Sequence, residues 1–532
     1  MVKPFPVREI LILALLIPLF GCQVEEKLET GLAEPQRWLI YSGDYTGRRH
    51  SPLKQITPSN IEMLRPEWTF DAGEKGPLEA TPIVSDGVLF FSGMSNTAWA
   101  IDGRTGKEIW RYDRVLPKGL PLCCNASNRG LALRGDRVFM ATLDAHLVAL
   151  HRKTGAVLFD VAIDDRQQGY SASAAPLVIR DMVIVGISGG EFSSRGFLDA
   201  YDALTGARKW RFWTVPGPGE RGSETWPDEL LSRGGGATWL TGTYDPELNL
   251  IYWGTGNPSP PFDGSLRKGD NLYTSSILAL EADTGRLRWH YQFTPHDVHD
   301  WDANQIPVLA DLKIGGRTRA VVMVANRNGF FYVLDRATGA LILSKPFITT
   351  TWANTIGTDQ RPILLPNQQP SVDGTLTCPD DHGGTNFMSP SFDPVRNLFF
   401  VTARETCSRF FTQASSPVFK VGSRAMGGRV QGIAQMRSGA VRAIDPLTGD
   451  IKWSLAYRRP GWAGVLSTAS GLVFTADDRG KFMAIESETG RELWHHEMDQ
   501  NMRAAPLTYM IRNRQHVTIA SYSRLTAFAL PN

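Results

Sequence analysis

Short runs in which apolar and polar residues alternate recur along this chain, and each ends at the same kind of turn. WAIDGRTGKEIW (99–110) shows the unit: an apolar strand, a turn containing Thr-Gly, then a strand carrying an aromatic residue. Six more copies follow, VALHRKTGAVLF (148–159), DAYDALTGARKW (199–210), LALEADTGRLRW (278–289), YVLDRATGALIL (332–343), RAIDPLTGDIKW (442–453) and MAIESETGRELW (483–494). Period-two alternation predicts β-strands. The glycine supplies the positive φ of a tight hairpin turn, and the aromatic is placed to pack between neighbouring sheets. Further hairpins precede several copies, as in TPIVSDGVLFFSG (81–93) and SGLVFTADDRG (470–480). Each unit is thus a small antiparallel sheet unable to bury its own faces. Radial stacking of such units makes a β-propeller.

The ends of the chain set the expected count. LTAFALPN (525–532) is a first half without a Thr-Gly partner, and LRPEWTFDAG (64–73) supplies a second half. Joining them closes a ring, so the expected fold is an all-β, eight-bladed β-propeller with a composite closing blade. Residues 211–275 and 344–440 are expected to be loop insertions that carry function on one face.

Composition agrees. Glycine (51), proline (33) and tryptophan (15) are abundant among 532 residues, and sustained helical periodicity is hard to find. A net charge of +2 points away from nucleic acid.

At the N-terminus, Lys3 and Arg8 precede an apolar run from Ile10 to Phe20, too short to span a bilayer comfortably. Leu19-Phe20-Gly21-Cys22 matches a bacterial lipoprotein processing site, with Cys22 as the lipidated first residue. An ordinary cleaved signal is the alternative, since Phe20 is not the usual small residue. Either reading means export. The expected division is a signal peptide at 1–21, a tether at 22–37 and the propeller at 38–532. The periplasm is the expected location, with a membrane anchor if Cys22 is lipidated; Gln23 after Cys22 favours the outer membrane.

Export permits disulfides, and setting Cys22 aside leaves Cys123, Cys124, Cys378 and Cys407, an even number. A bond between the neighbours Cys123 and Cys124 would be strained, because adjacent Cα atoms lie about 3.8 Å apart and ordinary disulfides prefer roughly 5.5–6 Å. It would close a loop holding no residues, so stability alone would not reward it. Two unlinked thiols are the other possibility.

Several motifs in order carry a family resemblance: LEATP (78–82), CCNASNRG (123–130), SGGEFSSRGFLDAYDALTG (188–206), GGGATW (234–239), YDPELNLIYWGTGNP (244–258), PHDVHDWD (295–302), NRNGFFYVLDR (326–336), GGTNF (383–387) and PGWAG (460–464). Over residues 38–532 the chain resembles the pyrroloquinoline quinone (PQQ)-dependent alcohol dehydrogenases, periplasmic quinoproteins related to methanol dehydrogenase. The resemblance implies PQQ on the propeller axis, between a Cys123–Cys124 disulfide and Trp239. Arg129 and Arg327 would face its carboxylates, with Glu79, Ser173, Ser188, Gly189, Gly190, Asn386 and Trp462 as further contacts. A second disulfide, Cys378–Cys407, is implied as well.

The family's metal ligands fall on Glu191, Asn257 and Asp300, all oxygen donors as hard cations require, and Asp300 is also the catalytic base. Asp302 adds a carboxylate two residues on. On an extended segment the two would share a face. Calcium-type methanol dehydrogenases have alanine there and lanthanide-dependent relatives aspartate. The expected metal is therefore one lanthanide(III) ion, with calcium as the alternative. Three positions depart from the common pattern: Ser127 replaces valine, Ala237 threonine and His299 tryptophan. His299 could reshape the substrate pocket or act as a base.

The function implied is oxidation of a primary alcohol to an aldehyde. Without a Cys-x-x-Cys-His haem motif, electrons would leave to an external c-type cytochrome. Two alternatives stand beside it, a non-catalytic propeller lipoprotein scaffold and a quinoprotein acting on sugars or polyols.

Overall fold

A computed structural model describes Met1 and residues 36–413, 419–420, 422–498, 500 and 502–531. The expected leader, the lipidated Cys22 and the tether as far as residue 35 lie outside the described residues. Among those described, the chain forms eight sheets of four or five strands and a two-stranded ribbon. Among the described residues, helix is confined to six 3-10 segments of three residues each.

Seven of the eight sheets contain a four-stranded antiparallel meander whose third and fourth strands are joined by a Thr-Gly hairpin. In the first, Ile83–Ser85, Val88–Ser92, Thr97–Asp102 and Glu108–Asp113 pair in chain order. Its turn is held by Asp102, whose Oδ1 accepts the Arg104 and Thr105 amides at 3.0 Å. Gly106 then turns at φ +69°, where a Cβ would come within 2.7 Å of the Trp68 ring.

That close approach recurs from sheet to sheet. Trp68 donates to the Gly103 carbonyl at 3.1 Å, Trp110 to Arg152 at 2.8 Å, Trp210 to Ala282 at 3.0 Å, Trp289 to Arg336 at 3.3 Å and Trp453 to Ser487 at 2.9 Å. In every case the indole of one sheet covers the Thr-Gly turn of the next. Phe159 fills the same role over Gly206, and Lys345 over Gly449, where the repeat lacks tryptophan. The apolar clusters accordingly lie between neighbouring sheets, one centred on Phe139, Leu147, Val183 and Phe197 and another on Tyr252, Ile277, Val322 and Tyr332.

The composite sheet forms as expected. Arg65–Asp71 pairs antiparallel with Arg524–Ala529, which continues into Arg514–Ser521 and Leu507–Ile511. Glu67 reinforces the join through Arg514 at 2.5 Å and His516 at 2.7 Å.

The expected insertions are corrected. Within 211–275, Thr243–Asp245 and Leu250–Gly254 form a sheet hairpin. Within 344–440, Leu398–Thr412 and Gly428–Ile444 are long paired strands. Both regions hide the same turn, Asp-Pro-x-x-Asn. Asp245 Oδ1 accepts the Glu247 amide at 2.9 Å and Asp393 Oδ1 the Val395 amide at 2.8 Å. Asn249 and Asn397 complete the turns at φ 54° and 55°. Asparagine tolerates that region, so these hairpins carry no Thr-Gly. What remains as insertion is 214–242, 255–275, 347–390 and 413–427.

Candidate active site

In a four-stranded meander the chain enters the first strand and leaves the second at the same edge. Residues just before first strands and just after second strands therefore gather at one end of every sheet. They line a cavity of about 420 Å³ to which all eight sheets contribute.

Glu79, Arg129, Ser173 and Ser188 form one polar wall. Arg129 pairs with Glu79 at 3.0 Å and donates to Ser173 Oγ at 3.0 Å, and Ser173 and Ser188 hydroxyls share a bond of 3.1 Å. Arg503 reaches the other Glu79 oxygen at 3.2 Å. The Arg129 guanidinium carbon lies 5.1 Å from the centroids of Trp239 and Phe387.

Cys123 and Cys124 are joined to each other and line the same cavity as Trp239. Cys378 and Cys407 form the second disulfide, 29 residues apart. Gly189 lines the cavity too, at φ +121°, where a Cβ would meet the Gly169 carbonyl at 2.3 Å. Gly190 sits behind the lining, next to Ala237 and Asn257. Asn386 and Trp462 line the cavity as well. Asn386 donates to the His382 carbonyl at 2.9 Å, and Trp462 stacks on Phe387 at 5.4 Å.

The acidic part of the lining is formed by Glu191, Asn257, Asp300 and Asp302. The Asp302 carboxylate is already engaged. Its Oδ1 accepts the Asn257 amide at 2.7 Å, and its Oδ2 accepts Trp239 Nε1–H at 2.9 Å and Arg327 at 2.6 Å. Asp302 therefore orients the tryptophan and the arginine, a role not visible in the sequence. Arg327 also donates to the Asp300 carbonyl at 2.8 Å. Asp300 Oδ1, by contrast, is buried with no hydrogen-bond partner.

Burial pushes the Asp300 carboxyl well up; Arg327 opposes the shift, and the charges of Asp302 and Glu191 add to it. Burial, then Asp302, raises Glu191 as well. Crowded, desolvated carboxylates of this kind form a site for a positive ion, and the donors are all hard oxygens. The residues present fit a hard cation.

Asp300 and Asp302 do share the cavity, but not through an extended segment. Asp300 adopts φ 64°, and this left-handed residue, rather than strand alternation, presents both. His299 does not line the cavity. It stacks on Trp301 at 4.3 Å and 14°, and its Nε2–H donates to the Gln368 carbonyl at 2.9 Å. Burial lowers its pKa to about 4. Its packing leaves it no part as a base. Ser127 and Ala237, the other departures, do line the cavity.

Sequence reading missed Asp381, His382, Arg424, Met426 and Arg503 in the lining. Asp381 and His382 immediately precede Gly383-Gly384-Thr385-Asn386-Phe387, a usable signal. Arg424, which donates to the Leu122 and Cys123 carbonyls, arrives from a distant insertion and carries none.

The profile of a family described as the β-propeller domain of PQQ glucose, ethanol and alcohol dehydrogenases matches residues 38–345 and 434–517. The quinoprotein alcohol dehydrogenase PedH of Pseudomonas putida is 36% identical over 516 residues, covering 92% of this chain and 86% of that protein. A lanthanide-dependent methanol dehydrogenase of Methylacidiphilum fumariolicum is 34% identical over 523 residues, covering 92% and 85%. The solved structure of a europium-containing methanol dehydrogenase superposes with a TM-score of 0.89 at 31% identity, covering 95% of this chain and 99% of that one. The chain belongs to the PQQ-dependent quinoprotein alcohol dehydrogenases.

Proposed function

We propose that this chain is an exported dehydrogenase that oxidises a primary alcohol to its aldehyde, with Asp300 as base, and that its eight sheets are the blades of one closed ring. The convergence of residues from all eight sheets on one cavity carries this reading. Glu79, Arg129, Ser173, Ser188, Gly189, Gly190, Arg327, Asn386 and Trp462 would hold PQQ between the Cys123–Cys124 bond and Trp239. Glu191, Asn257, Asp300 and Asp302 would hold the metal, for which a trivalent lanthanide best balances three carboxylates; calcium is the other outcome. When bound, the quinone supplies the two-electron acceptor and the metal Lewis acidity.

The chain's own residues do the rest. Arg129 and Arg327 give carboxylates their charge partners. Trp239, locked by Asp302, supplies a rigid wall. The unpartnered Asp300 Oδ1 is the atom free to take the hydroxyl proton as the carbinol hydrogen leaves with its electron pair. Electrons pass to an external c-type cytochrome, and Cys22 anchors the protein at the periplasmic side of a membrane.

The test is reconstitution with PQQ plus calcium or lanthanum, screening primary alcohols, polyols and sugars with an artificial acceptor. Turnover of primary alcohols with lanthanum is expected, and Asp302→Ala should lose it. Turnover confined to sugars or polyols overturns the substrate class. Full activity with calcium alone, unchanged in Asp302→Ala with lanthanum present, overturns the metal.

A further inference from the structure

Asp300 holds a left-handed backbone (φ 64°) that residues bearing side chains adopt uncommonly, so something must impose it. The residues on both sides supply the means. Asp297 is 1% exposed. Its Oδ1 accepts the His299 amide at 3.0 Å and its Oδ2 the Trp301 amide at 2.8 Å, so one carboxylate grips the chain immediately before and after Asp300. The hairpin aspartates such as Asp102 hold their turns through one oxygen, at the surface. Asp297 uses both, in the interior.

The gripping residue is held in turn. Arg267, fully buried, donates to the Asp297 carbonyl at 2.5 Å, to the Pro260 carbonyl at 3.0 Å and to Asn271 Oδ1 at 2.9 Å. It thereby ties the segment following Asn257 to the loop bearing Asp300. On the far side Trp301 donates its indole N–H to the Asp380 carbonyl at 2.9 Å, and His299 stacks against it. His299 and Trp301 point back into the protein while Asp300 and Asp302 face the cavity.

We infer that Asp297, backed by Arg267, is a positioning residue that sets the aim of the Asp300 carboxylate. The inference rests on the reading of Asp300 as the base. Without the two Asp297 bonds, the backbone at Asp300 is free to relax to negative φ and carry the carboxylate away from the substrate. Misplacement of a reacting group by about 1 Å costs on the order of 100-fold in rate.

Asp297→Ala and the isosteric Asp297→Asn, prepared as full-length protein with PQQ and lanthanum, test this. The expected result is a fall in kcat of about 10- to 100-fold, larger for Ala than for Asn, which keeps one acceptor. The KM for alcohol and the bound PQQ and lanthanum should stay near native. Hydrogen-exchange mass spectrometry should show faster exchange in the peptide spanning 297–302, independent of turnover. Native kcat in both variants, unchanged exchange there, or a rate loss matched by lost cofactor or metal would overturn the inference. If Asp297→Ala does not fold, Asp297→Asn decides. Asp300→Asn run alongside separates the two readings. An active Asp300→Asn refutes the base itself, whereas an inactive one beside fully active Asp297 variants refutes only the positioning.

Discussion

A single oxygen carries much of the proposed chemistry. Asp300 Oδ1 is buried and unpartnered, with Asp302 and Glu191 adding to the effect of burial and Arg327 opposing it, so its free lone pairs are an unmet cost in the protein alone. Replacing Asp300 by Asn keeps the volume and removes the base. Turnover is expected to fall roughly 100- to 10,000-fold with the fold intact, measured by steady-state kinetics beside circular dichroism; a near-native rate would end the assignment. Asp302 differs, because it bonds Trp239, Arg327 and the Asn257 amide at once. Asp302→Asn, which can keep some of those bonds, should therefore retain more PQQ than Asp302→Ala, read from the absorbance of bound cofactor.

At the scale of the element, the hairpin turn and the indole above it are one device. At Gly285, φ +69° and a Cβ only 2.5 Å from the Trp210 ring make any side chain both strained and crowded. Gly285→Ala should destabilise the protein by about 2–4 kcal/mol, from the left-handed backbone plus overpacking. A urea-unfolding midpoint equal to native would contradict this. The Thr-Gly turns were legible in the sequence because threonine and glycine recur at fixed offsets. The Asp-Pro-x-x-Asn turns were not read, although they are as regular, because only two copies exist and their glycine is replaced by asparagine.

For the whole molecule, the acidic wall links metal, pH and stability. Glu191 and Asp300 have raised pKa values in the metal-free protein, chiefly through burial. The folded state then holds protons that the unfolded chain has released. Their contribution is fully present below the ordinary carboxylate range of about 4 and is lost as pH rises through the raised values. A bound cation reverses this by favouring the ionised forms. The metal-free protein should lose melting temperature as pH rises from the ordinary carboxylate range through the raised values, and lanthanum should restore it most at the higher pH. Equal stabilisation by the ion at both ends would show that these carboxylates do not hold it.

Sequence alone determined the antiparallel units, their hairpins and the composite closing sheet, because period-two alternation and turn chemistry are local, while the expected members of the site came from the family resemblance of the ordered motifs. The resemblance led to Cys123–Cys124, and the repeat to the aromatic residues that dock most sheets on the next, Lys345 over Gly449 being an exception. Only the tertiary structure decided how the site is aimed. The hub at Asp302 and the arrival of Arg424 and Arg503 join residues tens to hundreds of positions apart, and the local Asp297 grip on the left-handed Asp300 is itself held by Arg267 from 30 residues away. His299 shows the same limit from the other side. Next to Asp300 in the chain it passed for cavity chemistry, yet the turn at Asp300 sends successive side chains to opposite sides, and His299 faces Trp301 and the interior.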